Sequence, residues 1–153
     1  MIIELAQSKD KPKIAKLDSH IPPSRLGECI YNGQVYILKD NSIKNGGQNH
    51  RLNDPVIGVL RYSLFWQTIP FLDLLYIDAE YRHQGFGTQM IHDWEERMKI
   101  CGYKYVMTST QADESAWKFY EKFGYHKVGG FLPPEQEAEE WIYLKQLKLM
   151  EEN

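Results

Sequence analysis

Cysteine is scarce: Cys29 and Cys101 are the two in 153 residues, too few for a disulfide framework and without the C-x-x-C spacing of a redox or metal site. A reducing, cytoplasmic location is therefore expected. Long hydrophobic runs are also missing. Met1 to Leu5 is apolar only briefly before Gln7, Lys9 and Asp10, and no window approaches the roughly 18 uncharged apolar residues that a membrane span needs. Neither a secretion signal nor a membrane partner is expected. An excess of one charge is absent as well, since a formal net charge of −3 creates no field that would gather nucleic acid or anionic lipid. The histidines His20, His50, His83, His92 and His126 lack H-x-x-x-H spacing, so no metal site is expected.

What is present is a globular composition. With 42% hydrophobic and 13% aromatic residues, the chain can bury a core, and its length suits a single domain over residues 1–153. Ile2 to Ala6 reads as a first strand, after which Ser8 can cap a helix carrying Ile14 and Leu17 on one side, ended by Ile21-Pro22-Pro23. Arg25 to Tyr31 forms a second short helix, and Asn32-Gly33 turns the chain into a strand over Gln34 to Lys39. Asp40 to Asp54, centred on Asn45-Gly46-Gly47, has no apolar period and reads as a mobile loop.

Pro55 to Trp66 and Ile69 to Ile77 form an antiparallel pair. From Thr88 to Ile100 the apolar residues Met90, Ile91, Trp94, Met98 and Cys101 recur at helical spacing, with Gly102 as the stop and Cys101 read as a small buried hydrophobe. Tyr103 to Ser109 is a strand, and Asp113 caps a helix carrying Ala116, Trp117, Phe119, Tyr120 and Phe123, ended by Gly124. Tyr125 to Phe131 and Glu139 to Leu147 are further strands, separated by Leu132-Pro133-Pro134, with Trp141, Tyr143 and Leu147 toward the core. This order predicts an α/β fold: a mixed, mostly antiparallel central sheet, a parallel βαβ core over Phe71 to Ser109, and helices on both faces. Edge strands and a short final strand would allow a homodimer.

The strongest local feature is Arg82-His83-Gln84-Gly85-Phe86-Gly87, a glycine-spaced turn between a strand and a helix. Unpaired amides and the helix dipole make such a turn an anion site fit for a pyrophosphate, with Arg82 and His83 as donors at its rim. A Walker loop would need a lysine after the glycines, and a dinucleotide fingerprint a third glycine where Met90 stands. Both fail.

Leu75-Tyr76-Ile77-Asp78-Ala79-Glu80-Tyr81-Arg82-His83-Gln84-Gly85-Phe86-Gly87 resembles the core motif of the GNAT superfamily of N-acetyltransferases, [RQ]-x-x-G-x-[GA] after an apolar strand. Downstream, Asp113, Ala116 and Phe119-Tyr120-Glu121-Lys122-Phe123-Gly124-Tyr125 resemble that family's N-x-x-A-x-x-F-Y-x-x-x-G-[FY] segment at the usual separation, with Asp113 in place of the usual asparagine. The resemblance implies an acetyl-CoA-dependent acyltransferase acting on an amine acceptor, the amine attacking the thioester directly. It implies that the backbones of Leu75 and Ile77 bind the pantetheine arm, that His83 to Thr88 cradle the pyrophosphate, and that Tyr76, Asp113 and Ala116 are among the cofactor contacts. The oxyanion would then be held by main-chain N–H groups near Ile77, with the cysteines as bystanders.

Amine acetylation needs a neutral nucleophile, and a lysine-like amine costs about 4.6 kcal/mol to deprotonate at pH 7. The family often uses a Glu on the strand before the loop; here Asp73 lies on that strand, on the same face as Leu75 and Ile77 by alternation, and is the candidate base. A subgroup that acetylates protein N-termini carries a Glu on the following strand, where this chain has Thr108. By the same resemblance Tyr120 protonates the departing CoA thiolate, a task suited to a phenol held within hydrogen-bond reach. An alternative keeps the loop but not the chemistry: a non-catalytic acyl-CoA-binding sensor. The acceptor groove would be shaped by Ser19 to Gly33, Asn41 to Asp54 and Phe131 to Glu140, none of which carries a readable motif. Trp66 and Trp141 could line it or belong to the core, and Glu135, Glu137, Glu139 and Glu140 form an acidic stretch that could attract a cationic acceptor.

Overall fold

A computed structural model describes residues 1–42 and 54–148, so most of the loop read over 40–54, residues 43–53, lies outside the described residues. Strands β1 (Ile2–Leu5), β2 (Val35–Lys39), β3 (Val56–Phe65), β4 (Ile69–Ile77), β5 (Tyr105–Gln111), β6 (His126–Phe131) and β7 (Glu140–Gln146) are ordered β1-β2-β3-β4-β5-β7-β6 in one sheet. Helices α1 (Lys11–Leu17), α2 (Pro23–Tyr31), α3 (Phe86–Ile100) and α4 (Ala116–Lys122) intervene. Pairing is antiparallel for β1 with β2, β2 with β3, β5 with β7 and β7 with β6, and parallel for β4 with β5. The predicted mixed sheet and its parallel βαβ core are therefore present. The chain packs as two compact units.

The first unit comprises Met1–Tyr62 and Leu74–Trp94. Alternation along β2 and β3 sends Val35, Ile37 and Val59 into a core with Ile14 of α1 and Leu26 and Ile30 of α2. The opposite face of the same strands meets α3. A Cβ on Gly58 would lie 2.9 Å from Ile77 Cδ1, 3.1 Å from Leu38 Cβ and 3.1 Å from Met90 Sδ, so glycine at that position lets the helix approach the sheet. Tyr62 completes that face, its ring 5.8 Å from Trp94 of α3. A bulge between Leu38 and Lys39 leaves Ile57 as the extra residue of β3, because Leu38 pairs Gly58 and Lys39 pairs Val56. Buried charges are matched: Arg61 Nε donates to Asp18 Oδ2 at 2.8 Å, and Lys39 Nζ lies 2.8 Å from Glu4 and 3.5 Å from Asp10.

The second unit comprises Ser63–Asp73 and the chain from Glu95 onward. Parallel pairing joins Phe71 to Met107 and Leu72 to Thr108. Val106, Met107, Tyr120, Tyr125, Tyr143 and Leu147 are buried in it. Glu95, itself buried, accepts both hydrogen bonds of Lys145 at 2.8 Å, and the Lys145 ammonium stands 5.5 Å from the Tyr125 ring centroid.

Several local expectations need correction. Ser8 does not cap α1; it begins a 3-10 turn, and the Asp10 carboxylate accepts the Gln7 amide at 2.8 Å instead. Asp113 does not cap α4: it is exposed in a turn, and Ser115 occupies the cap position without a side-chain hydrogen bond. Cys101 is exposed just past the end of α3 rather than buried, since the core stripe of that helix ends at Met98. Trp66, at the tip of the β3–β4 hairpin, is 79% exposed, so it is no core residue; it and Gln67 adopt positive φ, as the tight hairpin requires.

Candidate active site

Strand β4 delivers the glycine turn and α3 receives it. At the end of β4, Asp78 Oδ1 accepts the Glu80 amide at 3.1 Å and starts a 3-10 turn over Ala79–Tyr81. The turn is pinned from outside: Tyr81 Oη donates to Asp40 Oδ2 at 2.9 Å, and Asp40 also accepts the Ser42 amide at 2.9 Å. These bonds hold the Asp40 carboxyl below its usual range, the Ser42 hydroxyl contributing most, and they push the Tyr81 phenol up. The Asp40–Tyr81 clasp is part of the loop's support that no sequence spacing signalled, because the two residues are 41 positions apart.

Within the turn, His83 (φ 62°) and Gly85 (φ 83°) both adopt left-handed backbone. Glycine is the residue that does so without cost, so Gly85 is required by its dihedral, while His83 carries strain of the kind that collects at functional sites. Gly87 differs. A Cβ there would make ordinary contacts at 3.7 Å with Leu75 Cδ2 and 3.9 Å with Ile77 Cγ1, so these neighbours do not demand glycine. The first helical bond runs from the Gln89 amide to the Gly85 carbonyl at 3.1 Å. The amides of Phe86, Gly87 and Thr88 therefore have no intrahelical acceptor, and they point, with the positive end of the α3 dipole, toward the loop side. An anion is what such an array binds.

Arg82 and His83 are exposed, as are Gln84 and Gly85. Arg82 has part of its donor capacity committed elsewhere, for its Nε donates to the Ile77 carbonyl at 2.9 Å and its guanidinium stacks 5.1 Å from the Tyr76 ring centroid. The Ile77 carbonyl is thereby engaged, which leaves the N–H of Ile77 and the backbone of Leu75 and Tyr76 as the candidate main-chain contacts.

The proton-transfer candidates lie in the second unit. Asp73 is exposed on β4. Tyr120, on α4, is only 8% exposed, edge-to-face against Phe119 at 5.3 Å and Tyr125 at 5.4 Å between ring centroids. Burial pushes its phenol up to about 12, partly offset by the lowering influence of the Thr108 side chain, whose Oγ1 donates to the Leu72 carbonyl at 3.1 Å. Ala116 opens α4 and is half-buried. Among the described residues no group of three or more His, Cys, Asp or Glu could hold a metal ion.

Comparison with known proteins bears on the fold and the family. No curated protein matches. The chain is similar in fold to a chain of the NatC complex bound to Gag peptide and CoA (17% identity, 96% of this chain and 98% of that one, TM-score 0.76). It is similar also to a GNAT-family acetyltransferase from Bacillus cereus ATCC 10987 (19% identity, 95% and 96%, TM-score 0.70) and to the ribosomal-protein-S18-alanine N-acetyltransferase from Escherichia coli (14% identity, 99% and 97%, TM-score 0.73). The family model described as acetyltransferase (GNAT) family matches residues 18–125, a stretch that holds β4, the glycine turn, α3, Thr108 and Tyr120. By that match the chain belongs to the GNAT family of acetyltransferases.

Proposed function

We propose that this chain, an acetyl-CoA-dependent N-acetyltransferase by its family, transfers the acetyl group to a primary amine of a small molecule or peptide by direct attack within a ternary complex. The observation that carries the reading is the turn in which two left-handed residues, His83 and Gly85, precede a helix whose first amides have no internal acceptor. In this reading those amides hold the pyrophosphate, and the strand ending at Ile77 hydrogen-bonds the pantetheine arm. Acetyl-CoA is the cosubstrate.

Tyr120 supplies the leaving group with a proton. Its phenol, pushed up to about 12, stays protonated across working pH, so the acid form is always loaded. Asp73, exposed on β4, is the candidate acceptor of the amine's proton, directly or through water. Asp113, in the turn before α4, and Ala116, the first residue of α4, complete the cofactor contacts. Residues 1–153 are taken as one acetyltransferase domain, and a cytoplasmic setting suits a chain with two cysteines and a thioester cosubstrate that releases a free thiol.

The test is release of free CoA thiol from acetyl-CoA with a panel of primary amines: polyamines, aminoglycosides, lysine side chains and peptide N-termini. Turnover on one class and not the others identifies the acceptor. Tight acetyl-CoA binding with no turnover on any amine would instead support the non-catalytic sensor.

A further inference from the structure

Tyr81 closes the 3-10 turn that leads into the glycine loop, and its side chain reaches in two directions. Its Oη donates to Asp40 Oδ2 at 2.9 Å, and its ring centroid stands 6.5 Å from that of Phe86, the first residue of α3. Residues 82–85 therefore leave and return against one aromatic ring. Asp40 is 4% exposed just past the end of β2, and its other oxygen, Oδ1, accepts the amide and the hydroxyl of Ser42 at 2.9 Å and 2.5 Å. Both ends of the clasp are tied to the same stretch of chain. The Asp40 amide donates to the Pro55 carbonyl at 3.0 Å, immediately before β3; the Asp78 amide donates to the Ile57 carbonyl of β3 at 2.8 Å, and the Tyr81 amide to the Asp78 carbonyl at 2.8 Å. Asp40, Tyr81, Asp78 and the start of β3 thus form a closed bracket, and its one link between two side chains is the bond from Tyr81 to Asp40.

The loop carried by this bracket is costly to hold in place. His83 has a φ of 62°, a conformation that persists in a side-chain-bearing residue only where its surroundings impose it. Arg82, His83, Gln84 and Gly85 are all exposed, so burial does not impose it.

We propose that Asp40 and Tyr81 are positioning residues that set the affinity for acetyl-CoA, their hydrogen bond keeping the main-chain amides of the glycine loop in the arrangement that receives the diphosphate. The proposal rests on the acetyl-CoA reading and deepens it, naming what orders the loop. An array of amides binds in proportion to the fraction of molecules in which it is correctly arranged, so the apparent Kd rises as that fraction falls. A hydrogen bond to a buried carboxylate is among the strong ones, and its loss is large enough to shift that fraction. Chemistry after binding is untouched, because Asp73 and Tyr120 lie outside the bracket.

The experiment is calorimetric titration with CoA. Tyr81→Phe removes the hydroxyl and leaves the ring against Phe86; it should raise the Kd about tenfold. Asp40→Asn replaces the charged acceptor by a neutral one of the same shape; it should raise the Kd about threefold alone and add nothing in the Tyr81→Phe background, since both act through one bond. Tyr143→Phe, which removes a hydroxyl donating to Glu121 at 3.4 Å in the second unit, should leave the Kd unchanged. In the thiol-release assay Tyr81→Phe should raise the KM for acetyl-CoA about tenfold with kcat within about twofold of wild type.

A Kd in folded Tyr81→Phe within about twofold of wild type would overturn the proposal. So would additive effects of the two substitutions, or an equal loss in Tyr143→Phe, which would mark a general effect of lowered stability. Should Tyr81→Phe not fold, Asp40→Asn alone decides: a raised Kd supports the proposal and an unchanged one overturns it. Failure of the acetyl-CoA reading looks different, for then the wild type itself binds no CoA, and the proposal falls with it.

Discussion

In the proposed reaction Tyr120 is both a core residue and a reagent. Its ring belongs to an aromatic cluster with Phe119 and Tyr125, and burial there pushes its phenol up to about 12. Removing only the oxygen, in Tyr120→Phe, should therefore leave the fold intact and lower kcat by roughly 10²–10⁴-fold, the usual contribution of a positioned acid, with acetyl-CoA affinity within about twofold of wild type. The loss should be smallest at high pH, where the thiolate leaves without needing a proton. Unchanged turnover from pH 6 to 9 would remove Tyr120 from the mechanism. Burial also links this residue to stability. The folded phenol holds its proton above the ordinary value near 10, so its contribution is full below pH 10 and is lost as pH rises toward about 12. Urea unfolding at pH 9 and 11 should show the wild type losing more stability over that interval than Tyr120→Phe.

At the scale of the element, the strand β4, the glycine turn and α3 form the part of the site most legible in sequence. The apolar run, the G-x-G and the helical period of Met90, Ile91 and Trp94 each report a local physical need, and each landed where expected to within two residues. Less legible were features made by distant partners. Gly58 looked like an ordinary strand residue, yet its missing Cβ sets how closely α3 approaches; Gly58→Ala should cost about 1–3 kcal/mol in denaturant unfolding. Asp113 looked like a cap because Asp commonly is one, but α4 begins three residues later. The two loop glycines should separate cleanly on substitution. Gly85→Ala forces a side chain into left-handed backbone and should destabilise by about 1–2 kcal/mol, whereas Gly87→Ala fits the protein and should leave thermal stability within about 0.5 kcal/mol of wild type. Calorimetry on both variants checks the contrast.

For the whole molecule, alternating strands and helices dictated the class of fold, and the parallel β4–β5 pairing followed from the helix between them. The position of β6 outside β7 did not follow, because nothing in either strand's composition distinguishes an edge from an interior neighbour. Acceptor identity was equally out of reach: the segments 19–33, 41–54 and 131–140 carry shape rather than motif, and residues 43–53 lie outside the described residues. Cofactor binding has a global consequence that needs no acceptor. Acetyl-CoA at about 100 times its Kd should add about 2.7 kcal/mol to stability, a rise in Tm of roughly 5–10 °C. The most direct measurement is a crystal structure of the chain with CoA. It should show the diphosphate oxygens within hydrogen-bond distance of main-chain amides between His83 and Thr88; a diphosphate bound anywhere else would contradict the account.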